Sequence, residues 1–121
     1  ISDHGYSGFG EAYFSTIEPD AIKGWKRHKQ MVLNLVVPVG TVRFILFDDR
    51  DNQDNVNQFQ EVTLSIEDGY SRLTIPPMIW VGFQGLGLQK SLVLNIANIE
   101  HSPEEVERKE LAEIKFNWSK Y

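Results

Sequence analysis

The sequence predicts an all-β fold, a sandwich or barrel with a jelly roll as a leading form. Short runs of aromatic and β-branched residues recur at about 8–12-residue spacing, and each is closed by a Pro-, Gly- or Asp-containing turn. Only one stretch reads as a helix. Residues 1–10 carry three glycines and little periodicity, which predicts an irregular arm. Glu11 to Ile17 reads as a strand ended by Pro19-Asp20. Met31 to Val37 is nearly continuous apolar sequence, closed by Pro38-Val39-Gly40, and Thr41 to Phe47 follows; the pair is expected to form an antiparallel hairpin. Asp48 to Asn55 is a polar loop. In Phe59 to Ile66, Val62, Leu64 and Ile66 alternate onto one face. Glu67-Asp68-Gly69 turns the chain into a short strand, Tyr70 to Ile75, which stops at Pro76-Pro77. Ile79 to Phe83 and Leu92 to Ile96 are strand-like, with Gly85-Leu86-Gly87 turning between them. Pro103 to Ala112 is the expected C-terminal helix, with Ser102 as cap, Pro103 at the first position and Glu104 and Glu105 in the first turn. Ile114, Phe116 and Trp118 alternate, as in a last strand.

The chain has 121 residues, which predicts a single domain spanning 1–121. It contains no cysteine, so disulfides, zinc thiolate sites and cysteine nucleophiles are excluded. A net charge of −5 argues against a general nucleic-acid binder, which needs a basic face. No apolar run approaches the ~20 residues of a membrane-spanning helix. With no charged segment followed by an apolar stretch near residue 1, a cytoplasmic location away from membranes is expected.

A series of motifs in fixed order carries more than composition does. Glu11-Ala12-Tyr13-Phe14-Ser15 is followed by Ala21-Ile22-Lys23-Gly24-Trp25-Lys26-Arg27-His28-Lys29. Then come Pro38-Val39-Gly40, Phe47-Asp48-Asp49-Arg50, Ile75 to Phe83, Leu94-Asn95, and Ser102-Pro103-Glu104-Glu105. This series, over roughly residues 11 to 105, resembles the dTDP-4-dehydrorhamnose 3,5-epimerase family, the nucleotide-sugar branch of the cupins. It is also similar to the dTDP-sugar 3,4-ketoisomerases, whose Arg-Gly-Gly-His-Ala-His-Lys motif matches Lys23 to Lys29. The resemblance implies a cupin jelly roll, a homodimer that exchanges N-terminal strands, a nucleoside-diphosphate 4-keto-6-deoxy sugar as substrate, and no metal or organic cofactor.

A 4-keto group acidifies the adjoining C–H bonds, so such a site needs a base, a holder for the enolate and an acid. The family's epimerases take a histidine in Arg-Gly-x-His as base and a tyrosine before x-Pro as acid, with a carboxylate behind the histidine. Here Lys26 stands at that histidine's place, and His28 matches the second histidine of the ketoisomerase motif. On a strand, positions 26 and 28 share a face, with Trp25 opposite. His101 stands two residues before Pro103, at the tyrosine's place, and Val81 replaces a second family histidine. The family draws its carboxylate from a stretch C-terminal to the matched positions, so the resemblance names no residue for it.

The candidate catalytic residues are therefore His28, Lys26 and His101. His28 and His101 would exchange protons while Lys26 holds the enolate or a phosphate; alternatively Lys26 is itself a desolvated base. Lys23, Glu11, Tyr13, Arg72 and Trp80 are the candidate substrate-binding residues, Tyr13 also as a surrogate acid. A plainer reading of Lys23, Lys26, Arg27 and Lys29 is a solvated basic edge. Asp48-Asp49-Arg50 is expected to be a strand-end ion pair and turn. No metal is expected, since a cation at Lys26 repels one and neither an acid near His28 nor a later histidine completes a ligand set. The function expected is proton abstraction beside the keto group, in deoxysugar synthesis for a surface glycan or natural product. The alternatives are a 3,4-ketoisomerase, a sugar-nucleotide binder or partner subunit without the chemistry, and a barrel with a structural role.

Overall fold

A computed structural model describes residues 6–50 and 59–120. Residues 1–5 of the expected arm and 51–55 of the expected polar loop lie outside that range. The strands are β1 (Glu11–Ile17), β2 (Ile22–His28), β3 (Leu33–Val39), β4 (Thr41–Phe47), β5 (Phe59–Ser65), β6 (Leu73–Ile75), β7 (Trp80–Gly85), β8 (Ser91–Ala97) and β9 (Val106–Arg108). They form two antiparallel sheets, ordered β1-β8-β3-β6 and β5-β4-β7-β2-β9. This is the jelly roll.

The expected β3–β4 hairpin does not form, because the two strands belong to different sheets. A tight hairpin favours two loop residues, and here Gly40 alone separates them. Gly40 takes φ 87°, and a Cβ there would collide with Ser91. The Thr41 amide donates to Ser91 Oγ at 3.1 Å, which holds the corner where the chain changes sheets. Pro38 falls within the register shift of β3 against β8 between Val36 and Val39, a bulge where its missing N–H is tolerated. Ile66 lies past the end of β5 and is exposed.

The expected C-terminal helix is also absent. Pro103–Glu105 is one 3-10 turn, Ser102 makes no side-chain cap, and Val106–Arg108 enters the five-stranded sheet. It pairs His28 with Val106 and Lys26 with Arg108, and the open edge of β2 outweighs the local helix signals. Residues 113–118 form no strand. Ile114, Phe116 and Trp118 instead lay one side over the outer face of the five-stranded sheet, where Ile114 and Trp118 are buried with Trp25, Ile45 and Trp80.

The five-stranded sheet is thus covered on both faces. Inward, Val42, Phe44, Leu46 and Val81 meet Leu33, Leu35, Val37 and Val93 of the other sheet. Outward, Trp25 lies over Gly82, where a Cβ would crowd both Trp25 and Trp118. Buried Arg43 ties this layer to β4. It contacts Glu61 at 3.0 Å, Gln84 at 2.9 Å and the Trp118 carbonyl at 3.0 Å.

Candidate active site

Strand alternation gives β2 one face toward the other sheet and one away from it. The register of β2 against β7 slips between Lys23 and Lys26. This bulge brings Lys23 onto the same inner wall as Lys26 and His28, while Trp25 remains buried on the outer side as the alternation predicts.

That inner wall bounds a cavity of about 120 Å³ between the sheets. Leu33, Leu35, Phe44, Val81 and Val93 make its apolar floor. Lys23, Lys26 and His28 face it from the five-stranded sheet, and Tyr13, Ser15 and Asn95 from the four-stranded sheet.

His28 is buried, and its Nδ1 lies 2.7 Å from Glu105 Oε1. Glu105 Oε2 accepts the backbone N–H groups of Gln30 and Met31, both at 2.7 Å. Burial by itself would raise the Glu105 carboxyl; the hydrogen bonds from His28, Gln30 and Met31 together outweigh it and hold the pKa below its ordinary value. An ionised carboxylate only accepts, so Nδ1 carries a proton, and in the neutral form of the ring the lone pair lies on Nε2. The result is a histidine oriented by a buried carboxylate, with Nε2 left for the cavity.

Lys26 keeps solvent contact at the cavity mouth. Desolvation lowers its pKa, followed by repulsion from Arg108 and Lys23. Arg108 sits opposite it in the register. Lys23 donates to the Thr16 carbonyl at 2.7 Å. Among the described residues neither Lys26 nor Arg108 forms an ion pair, and both border a surface depression that Glu110 and Glu113 also line. Across the cavity, Asn95 Nδ2 donates to Tyr13 Oη at 3.3 Å.

The structure therefore brings together His28, Lys26, Lys23 and Tyr13. It does not bring in the other four expected residues. His101 is exposed; its backbone N–H donates to Glu11 Oε1 at 3.1 Å, and neither side chain lines the cavity. Arg72 precedes β6, the far edge of the four-stranded sheet from β1. Trp80 faces outward, donating to Asp49 Oδ2 at 3.0 Å beneath Arg27 and Lys109. Asp48 and Arg50 form the expected strand-end pair at 2.8 Å. Among the described residues no three His, Asp or Glu side chains converge on one point.

Sequence reasoning missed Glu105, Asn95 and Arg108. Glu105 and Asn95 lie within motifs that carry the resemblance, but a helix assignment aimed Glu105 at its own first turn. Nothing local marks Arg108, whose role depends on strand pairing.

No family model matches the chain. A solved dTDP sugar isomerase from Desulfovibrio desulfuricans G20 is 36% identical, with a TM-score of 0.90, over 100% of this chain and 78% of that one. The chain belongs to the nucleotide-sugar cupins that include the dTDP-sugar isomerases and dTDP-4-dehydrorhamnose 3,5-epimerases. The dTDP-4-dehydrorhamnose 3,5-epimerase of Elizabethkingia anophelis NUHP1 shares the cupin fold, with a TM-score of 0.75 at 16% identity over 91% of this chain and 62% of that one. Among curated proteins, a probable low-salt glycan biosynthesis epimerase of Haloferax volcanii, Agl13, is 26% identical over 85 residues, 69% of this chain. The chain spans about half of that relative's length, 54%. No helix among the described residues of this cupin is long and apolar enough to cross a membrane.

Proposed function

We propose that this protein is a nucleotide-sugar epimerase or isomerase that enolises a nucleoside-diphosphate 4-keto-6-deoxy sugar. The observation that carries this reading is the His28–Glu105 pair on the cavity wall. His28 Nε2 removes the proton beside the keto group; the C–H electron pair forms the enolate double bond, and the carbonyl pair moves onto oxygen. Lys26 faces the same cavity and balances the enolate charge. Lys23, Lys26 and Arg108 take the diphosphate across the mouth. Tyr13, on the opposite sheet, returns a proton from the other side of the sugar. Water then reprotonates Tyr13 and deprotonates His28.

Tyr13 takes the acid's role in this scheme because it lines the cavity and His101 does not. The replaced family positions leave a working pair under this reading, which favours an enzyme over a binder without chemistry. We further place it as a cytoplasmic homodimer in deoxysugar synthesis for a polysaccharide, the assembly to be read by sedimentation.

The test is incubation in D2O with dTDP-, GDP- and CDP-4-keto-6-deoxy sugars, followed by NMR. Deuterium at C3 or C5, lost in His28→Ala, is the expected result, and a keto group moved to C3 identifies a ketoisomerase. No exchange with any of them, alongside a thermal shift with one, overturns the enzymatic reading in favour of a binder.

A further inference from the structure

The buried amide of Asn95 fixes the direction of a hydrogen bond that bears on the proposed acid. Asn95 is 3% exposed and lies on β8 beside Tyr13, with which it pairs across the strands. Its Oδ1 faces the backbone N–H of Asn34 at 3.1 Å, a group that can only donate. That contact fixes which end of the amide is oxygen, so the end facing Tyr13 is the NH2. Thr74 Oγ1 donates to Asn34 Oδ1 at 2.6 Å, which steadies the neighbouring residue in turn.

The consequence falls on the phenol. Tyr13 Oη accepts from Asn95, and its own hydrogen is directed elsewhere. Tyr13 lines the cavity and is 40% exposed, so that hydrogen is free to point toward a ligand seated there. When the O–H gives its proton to the enolate, the electron pair stays on oxygen and the Asn95 N–H stabilises the charge left behind. Water restores the phenol.

We infer that Asn95 is a positioning residue which aims the Tyr13 hydroxyl proton into the cavity between the sheets. The inference rests on the enolising function proposed above, with Tyr13 as the group that returns the proton.

Asn95→Asp is the informative variant. It keeps the acceptor for the Asn34 amide, but toward Tyr13 it offers a carboxylate oxygen, which turns the phenol into a donor pointing away from the cavity. Proton removal by His28 is preserved while proton return is impaired. The readout is the ratio of deuterium washed into recovered substrate to product formed, in D2O. Losing one neutral hydrogen bond at the transition state is worth about fivefold, so this ratio should rise about fivefold or more in Asn95→Asp, and likewise in Tyr13→Phe. In the Tyr13→Phe background, adding Asn95→Asp should leave the ratio unchanged. Asn95→Gln, tested alongside, retains the donor and should lie nearer wild type if it folds.

A merely structural Asn95 would lower exchange and product together and leave the ratio unmoved, which overturns the inference. It is equally overturned if Asn95→Asp changes the ratio as much without Tyr13 as with it. Wild-type protein that shows no exchange refutes the enolising function itself, and the positioning role with it. Wild-type turnover with an unmoved ratio refutes the positioning role alone.

Discussion

Replacing Glu105 with glutamine should disable the base while leaving the fold standing. Glu105 Oε2 accepts two backbone amides and Oε1 accepts from His28, all at 2.7 Å. Glutamine has one acceptor oxygen, and the amides of Gln30 and Met31 claim it because both can only donate. The glutamine NH2 then faces His28 Nδ1, which must accept where it had donated. The imidazole proton moves to Nε2, and the lone pair disappears from the cavity side. Both backbone bonds survive as neutral ones, so the stability loss is about 1–2 kcal/mol. The catalytic loss is much larger. When a catalytic histidine is held in the wrong tautomer, turnover falls by about 10⁴-fold.

Deuterium exchange into a dTDP-4-keto-6-deoxy sugar measures the second quantity, and urea unfolding the first. Nitrogen NMR of the imidazole reads the tautomer directly, without substrate. Folded Glu105→Gln that exchanges within about threefold of wild type would refute the tautomer argument. Retention of the proton on His28 Nδ1 in the variant would refute it independently of activity. Glu105→Ala differs in kind: it leaves the Gln30 and Met31 donors without their acceptor, at about 1–3 kcal/mol each, and should melt well below Glu105→Gln.

The Glu105 carboxyl is held below its ordinary 4.5, so the unfolded chain binds more protons there than the folded one. Its stabilisation is complete above that value and is lost as pH falls through the lowered one, so the unfolding free energy of wild type should drop with acid more steeply than that of Glu105→Gln. Lys26→Met removes a cation repelled by Arg108 and Lys23, and should raise the melting temperature of the free protein while weakening TDP about tenfold by calorimetry. Gly40→Ala meets both φ 87° and Ser91 and should cost at least about 2 kcal/mol in urea. Arg43→Met removes the anchor on the Trp118 carbonyl and should speed amide exchange across residues 114–118 before the rest of the fold, at about 2 kcal/mol.

Strand alternation and turn residues made most of the jelly roll readable in sequence. Glu11–Ile17 and Thr41–Phe47 were bounded by Pro19-Asp20 and by Gly40, and those signals act within a few residues. Pairing was less accessible. Gly40 marks a turn in either case, and only Ser91, distant in the chain on β8, makes it a corner between sheets. Pro103 to Ala112 carries sound helix-start chemistry, yet the unpaired edge of β2 takes Val106–Arg108 into a ladder. The site divides along the same line. His28 and Lys26 were readable because two positions on one strand share a face. His101 is a candidate on motif spacing alone, and Trp80 is one although Val81, its neighbour, holds the inner face. Glu105 and Arg108 could not be found without knowing that β9 lies beside β2.

The placement of Glu105 also weighs on whether the site is built for chemistry. Clamping the turn after β2 needs one acceptor for the Gln30 and Met31 amides, and Oε2 alone supplies it. The second oxygen lies on His28 and is surplus to that clamp. Burying an ionised carboxylate carries a desolvation cost that a neutral amide or hydroxyl in the same place would largely avoid. What the carboxylate adds is a fixed tautomer and a stabilised imidazolium, both of which a general base uses when it accepts a proton. Both properties support the proposed enolising function.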